Sequence, residues 1–376
     1  MARLGDIATY INGYAFKPSD WADTGVPIIR IQDLTGNSYQ TNKYKGTYDK
    51  KYEVVDGDIL ISWSASLGVY VWKGEKALLN QHIFKVVFDR TEIDKDFFVH
   101  QVRAVLQNAT SEAHGATMKH LTKPVFDSLP FYLPSMEEQK NISQKLNSVS
   151  MLIETKKLQL EKLDELVKAR FVELFGDIKT GGYKFETRKL GKVADVGSSH
   201  RVFTTEFVDK GIPFYRGTEI GELAIGKKPE NPYRISEEHY DRLASDDTKP
   251  QIGDLLMPSI CNKGQVWMVD TEEPFYYKDG RVLRISPNRK LFNCKYLEQF
   301  MREKTLAEYP KLGSGSTFAE FKIFLLKDID VLIPPIELQN EFADFVKEVD
   351  KSKFEVQQSL KKLETLKKSL MQKYFG

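Results

Sequence analysis

Apolar and polar positions follow two different rhythms along the chain, and both recur in the same order. Short apolar runs bounded by glycine, proline and small polar residues cover 26–31, 58–63, 67–72 and 84–88, which predicts strands. Residues 97–106 carry apolar groups at helical spacing and predict a helix. Past Pro134 the apolar positions alternate by threes and fours: Leu146, Val149, Ile153, Leu160, Leu163, Val167 and Leu174, with Lys156 and Arg170 interrupting. A seam sustained over about four heptads predicts a long helix that buries one stripe against a second helix. Ser135, with Glu138 three residues on, supplies its N-cap.

The pattern then starts again. Strands are predicted over 253–257, 265–269 and 282–285 and a helix over 296–306. A second seam runs through Val346, Val349, Val356, Leu360, Leu363 and Leu370, interrupted by Lys353 and Lys367. The residues repeat as well. Leu4-Gly5-Asp6-Ile7-Ala8 returns as Leu190-Gly191-Lys192-Val193-Ala194, and Gly25-Val26-Pro27-Ile28-Ile29-Arg30 as Gly211-Ile212-Pro213-Phe214-Tyr215-Arg216, each 186 positions on. Gly57-Asp58-Ile59-Leu60 returns as Gly253-Asp254-Leu255-Leu256, at 196. Gly115-Ala116-Thr117-Met118 returns as Gly315-Ser316-Thr317-Phe318, at 200. Leu133-Pro134 with Glu137 and Gln139 returns as Ile333-Pro334 with Glu337 and Gln339. Lys162-Leu163-Asp164 through Phe175-Gly176 returns as Lys362-Leu363-Glu364 through Phe375-Gly376, both at 200. Six collinear matches, with 14 residues gained before Gly315, describe a duplicated domain; a period this long is not a solenoid.

The expected fold class is α+β: two pseudo-repeated mixed α/β lobes, mainly antiparallel in their sheets, and two long helices whose matching registers make them partners. The expected division is a first lobe at 1–136, a long spacer helix at 137–177, a linker at 178–186, a second lobe at 187–335 and a second spacer helix at 336–376. The 376 residues alone suggest two or three domains, and the repeat resolves them into two.

Composition adds mainly exclusions. Lys+Arg 55 against Asp+Glu 53 is no polycation and no acidic tail, and the first lobe (1–136) holds 15 of each sign. Cys261 and Cys294 stand in unrelated contexts and form neither a metal spacing nor a disulfide framework. No run reaches the ~18–20 apolar residues of a membrane helix and the start shows no signal-peptide pattern, so a reducing cytoplasm and no membrane are expected.

Catalytic patterns are missing or broken. Gly221 to Lys228 nearly spells a phosphate loop, but Lys228 stands where the metal-binding hydroxyl belongs and Pro229 follows. Asn231-Pro232-Tyr233 lacks the second proline of the amino-methyltransferase motif, and no glycine loop accompanies it. Glu320-Phe321-Lys322 lacks the Pro-Asp partner of a nuclease site, and the six histidines form no metal spacing. No catalytic residue and no metal ligand is expected, so binding outranks catalysis.

The ordered set Leu-Gly-Asp-Ile, Gly-Val-Pro-Ile-Ile-Arg, Gly-Asp-Ile-Leu-Ile-Ser and Gly-Ala-Thr-Met-x-x-Leu, then Leu-Pro-Ser-Met-Glu-Glu-Gln opening a long helix, together with its second version, resembles the specificity (S) subunit of type I restriction-modification systems over essentially the whole chain. The resemblance implies two target recognition domains, each reading half of a bipartite, non-palindromic site in double-stranded DNA. It also implies two long helices packed antiparallel as a ruler, and no catalysis by this chain. Partners would be two modification (methyltransferase) subunits and the restriction (translocase/endonuclease) subunits. S-adenosylmethionine, ATP and Mg are expected on those partners, with no cofactor held here. A spacer of roughly 45 Å, from ~30 residues, would place two readers about one turn of B-DNA apart. The alternative is a coiled-coil assembly scaffold without sequence-specific DNA binding, which the near-neutral lobes favour.

Base readers and phosphate anchors are sought among Arg, Lys, Asn, Gln, Ser and Thr near turns. In the first lobe they are Lys17, Arg30, Gln32, Asn37, Ser62, Ser64, Ser66, Gln81 and Lys119. In the second they are Arg201, Arg216, Thr218, Ser259, Asn262, Lys263, Gln265 and Lys278. Arg30 and Arg216 occupy the same place in the repeat, where a side chain could leave a sheet edge. Over 361–373 five lysines face one acid, a basic stretch suited to phosphates or an acidic partner.

Overall fold

The computed structural model describes residues 2–38, 40–64, 66–112, 122–244, 248–312 and 319–376, without the side chains of 109–112. Lys119 and the repeated segments 115–118 and 315–318 lie outside the described residues. The chain forms two compact units, 1–158 with 356–376, and 159–355. Both long helices, Met136–Phe175 and Ile336–Phe375, contribute to both units.

In the first unit an all-antiparallel sheet orders its strands Thr9–Asn12, Ile83–Val87, Ile59–Ser62, Gly68–Val71. A second sheet orders Lys43–Tyr44, Val26–Ile29, Ala77–Leu79, Glu53–Val54, with its central pair parallel. The helix Lys95–Glu112 buries Phe97, Phe98, Val102 and Leu106 in one core with Tyr10, Ile61, Phe84 and Val86. Ile142 and Leu146 of the first long helix close that core, and Phe375 of the second sets its ring 5.6 Å from Phe97.

The second unit repeats the plan. Its antiparallel sheet orders Ala194–Gly197, Val282–Pro287, Leu255–Pro258, Trp267–Met268. Its second sheet orders Tyr233–Ile235, Ile212–Tyr215, Tyr276–Tyr277, again with one parallel pair. The helix Cys294–Glu308 packs Tyr296 and Phe300 against Phe171 and Phe175 of the first long helix and Phe342 of the second. Ten of the extra residues of this copy enter between Arg216 and Asp254, a span of 38 against 28 from Arg30 to Asp58. There the helices Gly217–Leu223 and Glu237–Leu243 stand where the first copy has the single helical turns Ile31–Leu34 and Lys50–Tyr52.

Within each unit the two long helices run antiparallel. In the second unit Phe171 meets Phe342 (5.5 Å between ring centroids), Arg170 meets Glu341 (2.6 Å) and Asp164 meets Lys353 (2.5 Å), so rising numbers on one helix face falling numbers on the other. In the first unit Val149 and Leu370 share one surface depression. The interrupting Lys353 is tolerated in the seam because its ammonium reaches Asp164 at the seam's edge.

The repeated motifs have repeated structural reasons. Gly57 and Gly253 sit at φ +84 and +83, a left-handed turn suited to glycine. The carboxylates that follow, Asp58 and Asp254, accept the N–H groups of Val55 (2.9 Å) and Gln251 (3.1 Å). Gln139 and Gln339, both buried, accept the backbone N–H of Asp94 and Asn293 at 2.9 Å. Asp94 and Asn293 in turn accept N–H groups in the first turn of the helices Lys95–Glu112 and Cys294–Glu308. Ser135 caps the first long helix through the N–H of Glu138 at 3.3 Å.

Candidate nucleic-acid interface

The strand expected over 26–31 stops at Ile29 because Arg30 opens a short helix, and Arg216 does the same in the second copy. An acid lies three residues on in each case. The backbone N–H of Arg30 donates to Asp33 (2.7 Å) and that of Arg216 to Glu219 (2.8 Å). Arg216 adds two guanidinium bonds to Glu219, 2.7 and 3.2 Å long, and Arg30 sends Nη2 to the carbonyl of Gln40 at 2.7 Å. Each guanidinium also lies over an aromatic ring, Arg30 over Trp21 at 5.8 Å and Arg216 over Tyr233 at 4.6 Å. In this geometry both arginines hold a turn to an aromatic face; they do not project freely from a sheet edge.

Burial of Glu219 favours its neutral form, yet the hydrogen bonds from Arg216 outweigh it and hold the carboxyl below its usual range. The same clamp raises the Arg216 guanidinium. The Tyr215 hydroxyl is pushed up by burial first and by the charge of Glu273 second.

The other expected residues divide by exposure. Ser62, Ser64 and Ser259 are buried. The strand Ile59–Ser62 is covered on both faces, and Ser62 donates to the carbonyl of Ser66. Ser259 is tied through its backbone to Arg281 (2.9 Å) and Phe321 (2.7 Å). Lys17, Gln32, Asn37, Ser66, Arg201, Thr218, Asn262 and Lys263 are exposed; Gln81, Gln265 and Lys278 are half-buried. Asn37 is bound to Thr35, and Gln265 accepts the N–H of Lys263 at 2.9 Å, which fixes that turn.

The exposed aromatic side chains beside these cations are absent from the sequence-based set. In the first unit Tyr14 packs edge-on against Phe16 (4.9 Å) and Tyr52 (5.6 Å), Lys51 lies over Tyr52, and Trp21 is exposed under Arg30. In the second unit Phe207 and Tyr233 stack at 4.6 Å and 14°, and Arg201 covers the exposed Phe203. A sequence signal exists only for some of these rings, Phe16 and Trp21 near Lys17 and Phe203 near Arg201, whereas Trp21 lies nine residues from Arg30 and Tyr233 seventeen from Arg216. Faces that combine cations with exposed rings suit contact with phosphates and bases. Among the described residues no group of three or more His, Cys, Asp and Glu is placed to hold a metal ion, and no helix is long and apolar enough to cross a membrane.

Residues 1–165 match the family described as the type I restriction modification DNA specificity domain. The chain is 25% identical to the type I restriction enzyme EcoBI specificity subunit of Escherichia coli, over 99% of this chain and 84% of that protein. It is 24% identical to the MjaVIII specificity subunit of Methanocaldococcus jannaschii, over 97% and 91%. Along nearly its whole length the chain is similar to type I restriction-modification specificity subunits. Two solved structures share the fold of this chain. The S subunit from M. genitalium aligns with a TM-score of 0.56 at 14% identity, over 100% of this chain and 95% of that one. A chain from a study of assembly and conformational transition in the type I system aligns at 0.57 and 15%, over 100% and 96%. The relatives span both repeats, so the likeness is not confined to the lobe that the family match covers.

Proposed function

We propose that this chain is a specificity subunit that reads a bipartite, non-palindromic site in double-stranded DNA, one half with each lobe, and docks two modification subunits on its duplicated frame. One observation carries the reading. The two lobes share strand order, turn glycines and Arg-x-x-acid caps, yet they present different side chains around those caps: Trp21 and Tyr14 in one, Phe207 and Tyr233 in the other. A shared scaffold with unlike faces fits two unlike half-sites.

The helix pair sets the gap between the half-sites on this reading. A helix of 40 residues is about 60 Å long, well beyond the ~34–36 Å of one DNA turn. Exposed apolar side chains on the long helices support docking of helical partners: Met151, Leu152, Leu158 and Leu366 in the first unit, Leu166, Val172 and Phe354 in the second. Catalysis is left to the partners: S-adenosylmethionine to the modification subunits, ATP and Mg to the restriction subunits, and no cofactor to this chain.

A competition shift assay with the chain and its modification partner tests DNA reading. Binding that survives excess random duplex but yields to one bipartite sequence supports it. Equal competition by random duplex returns the chain to the scaffold alternative, which its near-balanced charge favours.

A further inference from the structure

The two units also differ at the end of a long helix, where their frames are equivalent. In the second unit the segment after the first long helix folds back over the helix end. Gly176–Asp177 pairs with Gly182–Tyr183, and the N–H of Lys184 donates to the carbonyl of Phe175 at 3.1 Å. Tyr183 is thereby seated against the helix Cys294–Glu308, where Lys304 donates to its hydroxyl at 3.2 Å and lies 5.8 Å from its ring centre. Phe185 follows, its ring 6.5 Å from Phe175.

In the first unit the same frame surrounds an open groove of about 590 Å³, lined in part by Val105, Pro130, Tyr132, Tyr374 and Phe375. Phe375 is the counterpart of Phe175, and Val105 that of Lys304, counted from the capping residues Asp94 and Asn293. The ring pair Phe97–Phe375 (5.6 Å) likewise answers Tyr296–Phe175 (4.8 Å). The groove is therefore the seat that Tyr183-Lys184-Phe185 fills in the other copy. Its wall combines the rings of Tyr132, Tyr374 and Phe375 with the carboxylate of Glu138, groups that suit an aromatic-basic-aromatic triplet.

We propose that this groove is a docking site for an extended segment of a partner polypeptide carrying an aromatic-Lys-aromatic triplet. A second copy of the chain is a poor donor, because its own triplet is already held by the paired strands of its second unit. The mode is capture of a short extended peptide through pockets for alternate side chains.

The test titrates a fluorescently labelled peptide of residues 177–188 with the full-length chain and reads polarisation. Saturable binding is expected. It should be lost when the peptide carries Tyr183→Ala and when the chain carries Val105→Trp. Val105→Lys restores the cation present in the other copy and should tighten binding about two- to fivefold, the effect of one exposed cation–π contact. No saturable binding overturns the proposal. So does binding indifferent to both Val105 variants, which would locate the peptide in the second unit. Concentration-dependent self-association of the chain that Val105→Trp abolishes would assign the seat to another copy and overturn the choice of partner.

Discussion

Glu219 grips Arg216 through two guanidinium bonds, of 2.7 and 3.2 Å, and a backbone N–H bond of 2.8 Å, at the start of the helix Gly217–Leu223. The pair shapes the turn on which the exposed Tyr233 rests. Glu219→Ala removes the cap and the clamp together and should cost about 1–3 kcal/mol, read as a fall in the denaturant midpoint without a change of slope. Arg216→Ala should likewise lower stability. A variant that weakens DNA binding at unchanged stability would restore Arg216 as a direct reader.

The pH dependence of that pair has a definite sign. Burial raises the Glu219 carboxyl, but the bonds from Arg216 win and its folded value lies below the usual range. Its contribution is fully present above the unfolded carboxyl value of ~4.3 and is lost as pH falls through the lower folded value. Glu219→Gln should flatten the acid limb of stability below about pH 4.5. An acid limb identical to that of the parent chain contradicts the assignment.

Gln339 is buried and bonds three backbone groups: the N–H of Asn293 and the carbonyls of Leu291 and Pro334. Gln139 bonds two, the N–H of Asp94 and the carbonyl of Pro134. Each buried group left unpaired costs about 1–3 kcal/mol, so Gln339→Ala should destabilise more than Gln139→Ala. Paired equilibrium unfolding curves check the order.

Exposed cations are expected to position the duplex rather than specify sequence. Arg201→Ala and Lys263→Ala, assayed with the modification partner bound, should weaken binding to all sequences alike. The salt dependence should become shallower by about 0.9 in slope per lost phosphate contact. A changed recognition sequence in either variant would make that residue a base reader.

Much of this was legible in the chain. Every apolar position of the two seams is buried or half-buried, and three strands of each antiparallel sheet fall within two residues of their predicted bounds, whereas the edge strands Thr9–Asn12 and Ala194–Gly197 were not predicted. The burial of Ser62 and Ser259 was not legible, because a polar residue at a strand end reads as exposed unless both faces of the sheet are known to be covered. At Arg30 and Arg216 the acid three residues later is a capping signal that local sequence already carries. The bond from Lys304 to Tyr183 spans 121 residues, and local pattern holds no trace of such a contact.

The proposed ruler is tested by lengthening the two helices together. One heptad added after Leu158 and another after Glu355 lengthens both helices where the two compact units divide. Seven residues add about 10 Å, so the gap in the recognised site should grow by about three base pairs. A matched insertion that preserves folding and leaves the gap unchanged contradicts the ruler.

The central claim, that this chain chooses the DNA sequence, is tested most directly by methylome sequencing of cells carrying it with its modification partner. The expected result is one bipartite, non-palindromic methylated motif, present only when the chain is present and altered in one half when one lobe is exchanged. Methylation that is the same with and without the chain would contradict the claim.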